Sequence, residues 1–474
     1  FILIWLKRKI FLLLHILNVL YYILKRMISK YFSRLLVLVI NLLLISSCLN
    51  STNDKVEYSP DAQIYAFSLS SKTDTSNLLS ATKFTIDQIN GKIFNQEPLP
   101  FQFGVDSVVL NITGVSTYSP FTQVQLRLDP DSTYNWIRSD SVAVSRLNQI
   151  TTTAADGKTK KRYDFELNIY QQDPYILTWE HINTGYLPAS IASQQTIAFK
   201  NRFITYFNTG TAIQAISSDS SSGTNWTAFN PAGMPNTLLL SSLVTANDFV
   251  FGLDATAGTV YCSADGVNWS QVITSHPVKA IYGELPLATK GNILIAIDLD
   301  GTLTFAETDN FTVLNPMNKV PANIPVKDFS ASRVDIPTSY SIKYIILSGG
   351  TTKDNTNNTD IWILQEKDGI ITHILSRKPT TITVNGSSLF FYDNKPYMMI
   401  TSSGRNALIY SENFGLDWKM AAENQTFPAG FNQRTNASVI IDAANYIWIF
   451  GGISATQTQL ADIWRGRLNK FVNN

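Results

Sequence analysis

Enzymatic chemistry needs nucleophiles, acids, bases or metal ligands gathered at one place. This 474-residue chain carries them thinly, with 2 Cys and 4 His in all. Cys262 sits in an apolar, strand-like stretch beside Val260 and Tyr261, and His181, His276 and His373 are all distant in sequence. A buried, inert thiol is therefore expected there rather than a nucleophile. No His-Glu-x-x-His and no Cys/His ligand spacing occurs, so neither a metal site nor a cofactor is expected. Asp354 and Asp360 flank a loop containing Asn355, Asn357 and Asn358, whose oxygens suit a cation. A solvated loop is the simpler reading. A glycosidase needs two facing carboxylates, and no such pair stands out. No catalytic residue is assigned.

The elements that would position a site repeat along residues 174–474. One unit ends in Ser263-Ala264-Asp265-Gly266-Val267-Asn268-Trp269, and another in Ser411-Glu412-Asn413-Phe414-Gly415-Leu416-Asp417-Trp418. A third carries Ser218-Asp219 and then Gly223-Thr224-Asn225-Trp226. A degenerate copy, Glu307-Thr308-Asp309-Asn310-Phe311, is read with Phe311 in the Trp place. Trp226 to Trp269 is 43 residues and Trp269 to Phe311 is 42, a period that suits a four-stranded propeller blade. Two further units differ: Gly349-Gly350 precedes Trp362, and Gly451-Gly452 precedes Trp464. Gly350 to Trp362 and Gly452 to Trp464 both span 12 residues. Six blades are expected. The isolated strand Thr178-Trp179-Glu180-His181-Ile182 is expected to complete the last one.

The first four units resemble the Asp-box of sialidase-like propellers, and the other two resemble the diglycine-and-Trp pattern of kelch repeats. The Asp or Asn side chain of such a turn accepts backbone N–H bonds, and Gly takes the awkward φ. Asp219, Trp226, Asp265, Trp269, Asn413, Gly415 and Trp418 are thus expected to be structural. So are Gly349, Gly350, Trp362, Gly451, Gly452 and Trp464. A sialidase would also need an arginine cluster, a Tyr–Glu pair and an acid Asp. The arginines of this region are Arg202, Arg333, Arg377, Arg405, Arg434, Arg465 and Arg467, and the family's Arg-Ile-Pro segment is absent, with Asn201-Arg202-Phe203 the nearest text.

Residues 59–173 read differently. Apolar positions alternate at Ile64, Ala66 and Leu69, at Phe84 and Ile86, at Val108 and Leu110, at Val124, Leu126 and Leu128, and at Tyr163, Phe165, Leu167 and Ile169. Period-2 alternation predicts half-buried strands. Asn90-Gly91 predicts a type I′ hairpin. Six or seven strands without a helical period suggest an immunoglobulin-like sandwich. The fold class is therefore all-β: an immunoglobulin-like sandwich followed by a six-bladed β-propeller. Asp106-Ser107-Val108, Asp131-Ser132-Thr133 and Asp140-Ser141-Val142 resemble the O-glycosylation acceptor of exported Bacteroidetes proteins.

The N-terminus supplies an address. Met27, the basic Lys30 and Arg34, and the apolar run Leu35 to Leu44 are followed by Ile45-Ser46-Ser47-Cys48. Residues 27–47 therefore read as a signal peptide. Small residues before a Cys resemble the lipobox of bacterial lipoproteins, which implies a lipidated Cys48. Residues 48–58 read as a tether with only Asp54 and Glu57 acidic, and residues 1–26 as an extension upstream of a start at Met27. Of the 37 Lys and Arg, seven lie in residues 1–47, leaving 30 against 36 Asp and Glu. An acidic body without a basic cluster argues against nucleic-acid binding.

From Cys48 onward the chain resembles a lipoprotein family of Bacteroidetes. In that family a β-sandwich ends in an Asp-Pro hinge, here Asp173-Pro174, and a strand like Leu177-Thr178-Trp179 leads into a propeller. The resemblance implies location and fold. The expected function is an outer-membrane lipoprotein, on the periplasmic or the surface side, whose propeller binds a glycan or an envelope protein and touches the membrane only through its lipid. The alternative is a glycoside hydrolase.

Overall fold

The computed structural model describes residues 8–28, 57–114, 120–138, 140–188, 190–285, 293–334 and 343–472. Cys48, most of the expected signal peptide and most of the tether lie outside these residues. Helix Arg8–Ile28 is solvent-exposed throughout and is long and apolar enough to cross a membrane; a signal sequence passes the same test. The expected boundary at Met27 falls inside this helix. The chain divides into two compact units, one ending at Ile169 and one beginning at Tyr170, with Pro100–Gln102 grouped with the second.

The first unit packs two sheets around one core. A three-stranded sheet orders Ala66–Ser70, Ser107–Thr113 and Ser141–Ala143. A six-stranded sheet orders Phe84–Asp87, Lys92–Asn95, Lys160–Glu166, Gln149–Thr153, Gln123–Asp129 and Ser132–Asn135. Val108, Leu110, Leu126, Ile150 and Tyr163 are fully buried in the shared core. The expected alternation holds at Val108 and Leu110 but slips at the first strand. There Ala66 is exposed while Phe67 and Leu69 point inward. One turn of helix, Leu78–Ala81, was not legible in the periodicity.

The Asn90-Gly91 turn is not type I′, because Gly91 has a positive φ of 63° and Asn90 does not. Instead Asp87 accepts the N–H groups of Ile89 and Asn90, each at 2.9 Å, and closes a longer loop. Gly91 is needed for a second reason. A Cβ there would stand 2.7 Å from the Arg162 carbonyl oxygen, where Lys92–Asn95 pairs in parallel with Lys160–Glu166.

The second unit holds, among the described residues, six four-stranded antiparallel sheets. We number them by chain order. Sheets 1 to 5 run within 193–229, 239–272, 278–319, 325–375 and 383–420, each with its first strand innermost. Sheet 6 orders Ser438–Ile441, Ile447–Phe450 and Ile463–Leu468, and its fourth strand is Leu177–Asn183 from the start of the unit. This is the strand expected to complete the last blade, and it ties the two ends of the unit together. Neighbouring inner strands adjoin from sheet 1 to sheet 6 and back to sheet 1, so the sheets close a ring.

The inner strands are edges, with backbone groups that no ladder satisfies. Serines supply the missing bonds. Ser330 Oγ in sheet 4 accepts the Leu389 N–H of sheet 5 at 2.8 Å. Ser388 Oγ in sheet 5 donates to the Ala437 carbonyl beside sheet 6 at 2.7 Å. Ser438 Oγ in sheet 6 accepts the Thr196 N–H of sheet 1 at 2.9 Å.

Candidate functional site

The six inner strands enclose a channel of about 790 Å³. At the starts of the strands its wall carries Ser193, Gln195, Ser241, Asp328 and Asn436. Toward their ends it carries Thr245, Glu284, Ser332 and Arg333, with Phe391 and Ile441. Both carboxylates among the described residues of this wall are engaged. Ser241 Oγ donates to Asp328 Oδ1 at 2.8 Å, joining sheets 2 and 4. Glu284 pairs with Arg333 and joins sheets 3 and 4. Arg333 is the one arginine among the described residues of the wall. The remaining hydroxyls and amides are suited to bonding a polar, uncharged ligand.

The turns singled out in the sequence lie outside the channel, at the joints between sheets. Asp265 Oδ1 accepts the N–H groups of Val267 at 2.7 Å and Asn268 at 2.8 Å, and Ser263 Oγ accepts the Gly266 N–H at 2.9 Å. The Asn268 N–H bond, with the others, holds the Asp265 carboxyl well below the usual range. In sheet 5, Asn413 accepts the Asp417 N–H at 2.9 Å, and Ser411 Oγ accepts the Gly415 N–H at 2.8 Å. Asp219 likewise takes the Ser221 N–H at 2.7 Å.

The glycine of each turn touches the preceding sheet. A Cβ on Gly223 would meet Trp448 at 2.6 Å, one on Gly266 would meet Ile204 at 2.5 Å, and one on Gly415 would meet Ile346 at 2.5 Å. Trp226 and Trp418 bond back to the Gly223 and Gly415 carbonyls at 2.9 and 3.1 Å. At the sheet 2 turn the Tyr206 hydroxyl of sheet 1 donates to the Gly266 carbonyl at 2.6 Å instead, and Trp269 Nε1 has no acceptor among the described residues.

Phe311 does not fill the Trp place in the degenerate copy. Its N–H donates to Thr308 Oγ1 at 2.8 Å and its φ is +66°, so it holds the glycine position. Its ring lies where the other turns leave room, 4.8 Å from that of Phe251 in the preceding sheet. The sequence misleads because Phe in the left-handed region is uncommon.

The diglycines make the converse contact, with the following inner strand. A Cβ on Gly349 would stand 2.7 Å from the Val384 carbonyl oxygen, and one on Gly451 would stand 2.1 Å from Gln194 Oε1. Trp362 Nε1 donates to Asn358 Oδ1 at 3.1 Å, and Trp464 Nε1 donates to Asp462 Oδ2 at 2.8 Å. Asn358 is thereby committed to structure, and Asp354 pairs with Lys353.

Sequence reading missed Arg434, which is 1% exposed. It grips Asp462 through two bonds of 2.8 Å, donates to the Gly451 carbonyl at 2.9 Å and stacks on Phe431. Burial raises the Asp462 carboxyl, and Arg434 outweighs that and lowers it. The signal was the Asp two residues before Trp464. Of the other arginines, Arg202 bonds the Asp265 carbonyl, Arg377 pairs with Asp417, and Arg465 pairs with Glu180, and none of these three lines the channel. Cys262 is half-buried rather than buried, with Sγ 3.8 Å from Ser270 Oγ, because its strand is the third and lies toward the rim.

Ring and channel together define a β-propeller whose wall is polar. The chain belongs to the DUF6242 family: the DUF6242 β-propeller domain matches residues 173–473, and the DUF6242 N-terminal domain matches residues 52–167. No curated protein matches the chain. Among solved structures, YjhT is similar at 10% identity and a TM-score of 0.41, over 58% of this chain and 94% of that one. An auxiliary nutrient binding protein from Bacteroides ovatus is similar at 11% identity and a TM-score of 0.40, over 78% and 99%. A Trypanosoma rangeli sialidase mutant with trans-sialidase activity is similar at 9% identity and a TM-score of 0.34, over 60% and 55%.

Proposed function

We propose that this is an exported lipoprotein, anchored through Cys48, whose propeller channel binds a glycan or an envelope protein without transforming it. In this reading the ring is a six-bladed propeller built from four Asp-box-like and two kelch-like blades, and the first unit is an immunoglobulin-like spacer. The observation that carries the binding role is the channel wall. Its hydroxyls and amides face the lumen, while Glu284 and Asp328 are held by Arg333 and Ser241. A hydrolase of the glycosidase kind would need one carboxyl free to donate a proton and a second placed across the bond. The apolar run Leu35 to Leu44 ahead of Ser46-Ser47-Cys48 supports an address at or beyond the membrane.

The test is the melting temperature of the purified protein against a panel of host and microbial glycans, with each mixture assayed for released sugar. A ligand stabilises the state it binds. A shift without release supports the proposal, and release would put the glycoside hydrolase in its place. Replacing Cys48 with Ala should abolish incorporation of labelled fatty acid, and retained label would refute the anchor.

A further inference from the structure

Two arginines in sheet 6 each carry a donor that no acceptor among the described residues meets. Arg465 and Arg467 stand two apart on Ile463–Leu468, so their side chains leave the same face of the strand. The Arg467 guanidinium lies 4.1 Å from the centre of the Tyr446 ring. That of Arg465 lies 4.4 Å from the same ring and 5.1 Å from Trp448. Arg465 donates to Glu180 at 2.6 Å. The Nε of each arginine is shielded from solvent, and no acceptor among the described residues reaches either.

A shielded cationic donor left unmet is costly, and such gaps are ordinarily filled by water or an ion. The neighbouring carboxylates are already engaged. Asp442 accepts the N–H groups of Ala444, Tyr446 and Trp448 Nε1 at 2.9, 2.8 and 2.7 Å, and Asp393 pairs with Lys470.

We propose that Arg465, Arg467 and Tyr446 form an oxyanion site, outside the channel, for a carboxylate or sulfate ester carried on a glycan. A guanidinium is a planar fork of donors matched to such groups. Both guanidinium groups lie within 4.4 Å of the centre of the Tyr446 ring, which gathers the two forks at one place on the sheet. The Tyr446 face holds the guanidinium planes in place. Arg465, Arg467 and Lys470 are balanced by Glu180, Asp442 and Asp393, so the site selects by donor geometry rather than by field.

The test uses the full chain in detergent with ¹⁵N-labelled arginine. Sodium sulfate and sodium glucuronate are titrated against sodium chloride at matched ionic strength, and the Arg Nε–H resonances are followed. Two of these resonances should shift and saturate in the millimolar range. A response to sulfate alone assigns a sulfate ester, to glucuronate alone a carboxylate, and to both the shared oxyanion chemistry. Arg467→Gln should abolish the response, and Arg467→Lys should lose most of it, because charge remains but the fork does not. Glu180→Gln, which frees Arg465 of its partner, should tighten binding several-fold. Equal shifts with chloride, an intact response in Arg467→Gln, or weaker binding in Glu180→Gln would each overturn the proposal.

Discussion

Four joints of the ring are sealed by a turn of the later sheet, and two are not. Between sheets 6 and 1, 1 and 2, 2 and 3, and 4 and 5, Gly223, Gly266, Phe311 and Gly415 seat against Trp448, Ile204, Phe251 and Ile346. Among the described residues sheets 4 and 6 have no such turn, and their joints with sheets 3 and 5 are clamped by asparagines. Asn318 of sheet 3 donates to the Ile371 carbonyl at 2.8 Å and accepts its N–H at 2.7 Å. Asn406 of sheet 5 does the same for Arg434, at 2.8 Å in both directions.

The buried aromatic is common to both kinds of joint. Trp226, Trp269 and Trp418 follow the third strand of their sheets, whereas Trp362 and Trp464 lie on it, and each ring packs toward the preceding sheet. One steric requirement, a large ring in each joint, is thus met by two sequence patterns. The two kinds should fail differently when mutated.

The largest effect is expected at Arg434. Arg434→Ala leaves Asp462 shielded and unpaired, and should cost about 3–5 kcal/mol in denaturant unfolding. A loss below about 1 kcal/mol would show that the pair does not hold the joint between sheets 5 and 6. Next comes Phe311→Ala, expected to cost about 3–4 kcal/mol by opening a cavity against Phe251. Gly349→Ala should follow at about 2–3 kcal/mol, since both φ and the Val384 carbonyl oppose a Cβ. Gly301→Ala is the control: it has a φ of +80° and nothing within 4 Å, and should cost about 1 kcal/mol. Equal losses at the two glycines would remove the close-approach argument. Asn318→Ala, which leaves both backbone groups of Ile371 unmet, should cost about 1–2 kcal/mol.

The smallest effect is a pH dependence. Asp265 is held below its ordinary value, so its contribution is full above about pH 4 and fades as acid protonates it. Asp265→Asn should flatten the acid limb of a melting-temperature profile, and an unchanged limb would assign the acid sensitivity elsewhere.

The ring was legible because its joints use Trp, Gly and Asp at fixed spacing. Those residues are rare enough, and their roles local enough, for repetition to show. The closing strand Leu177–Asn183 was legible too, since an outer strand without a blade needs a partner. The joints clamped by Asn318 and Asn406 were not, because an asparagine that bonds a backbone far along the chain leaves no periodic trace. Phe311 was misplaced because only tertiary packing against Phe251 offsets its left-handed backbone. The channel was the least visible part. Ser241, Glu284, Asp328 and Arg333 come from separate strands and meet only when the ring closes. In the first unit, the parallel pairing beside Gly91 depends on a strand some seventy residues later, so the hairpin alone suggested the wrong turn.

The most direct measurement is isothermal titration of whichever uncharged glycan stabilises the protein, using wild type, Ser241→Trp and Arg467→Gln. Ser241→Trp fills the channel mouth, whereas Arg467→Gln leaves the channel untouched. The channel reading predicts that binding is lost in Ser241→Trp, kept in Arg467→Gln, and accompanied by no released sugar. Undiminished binding in Ser241→Trp, or sugar released by the wild type, would contradict it.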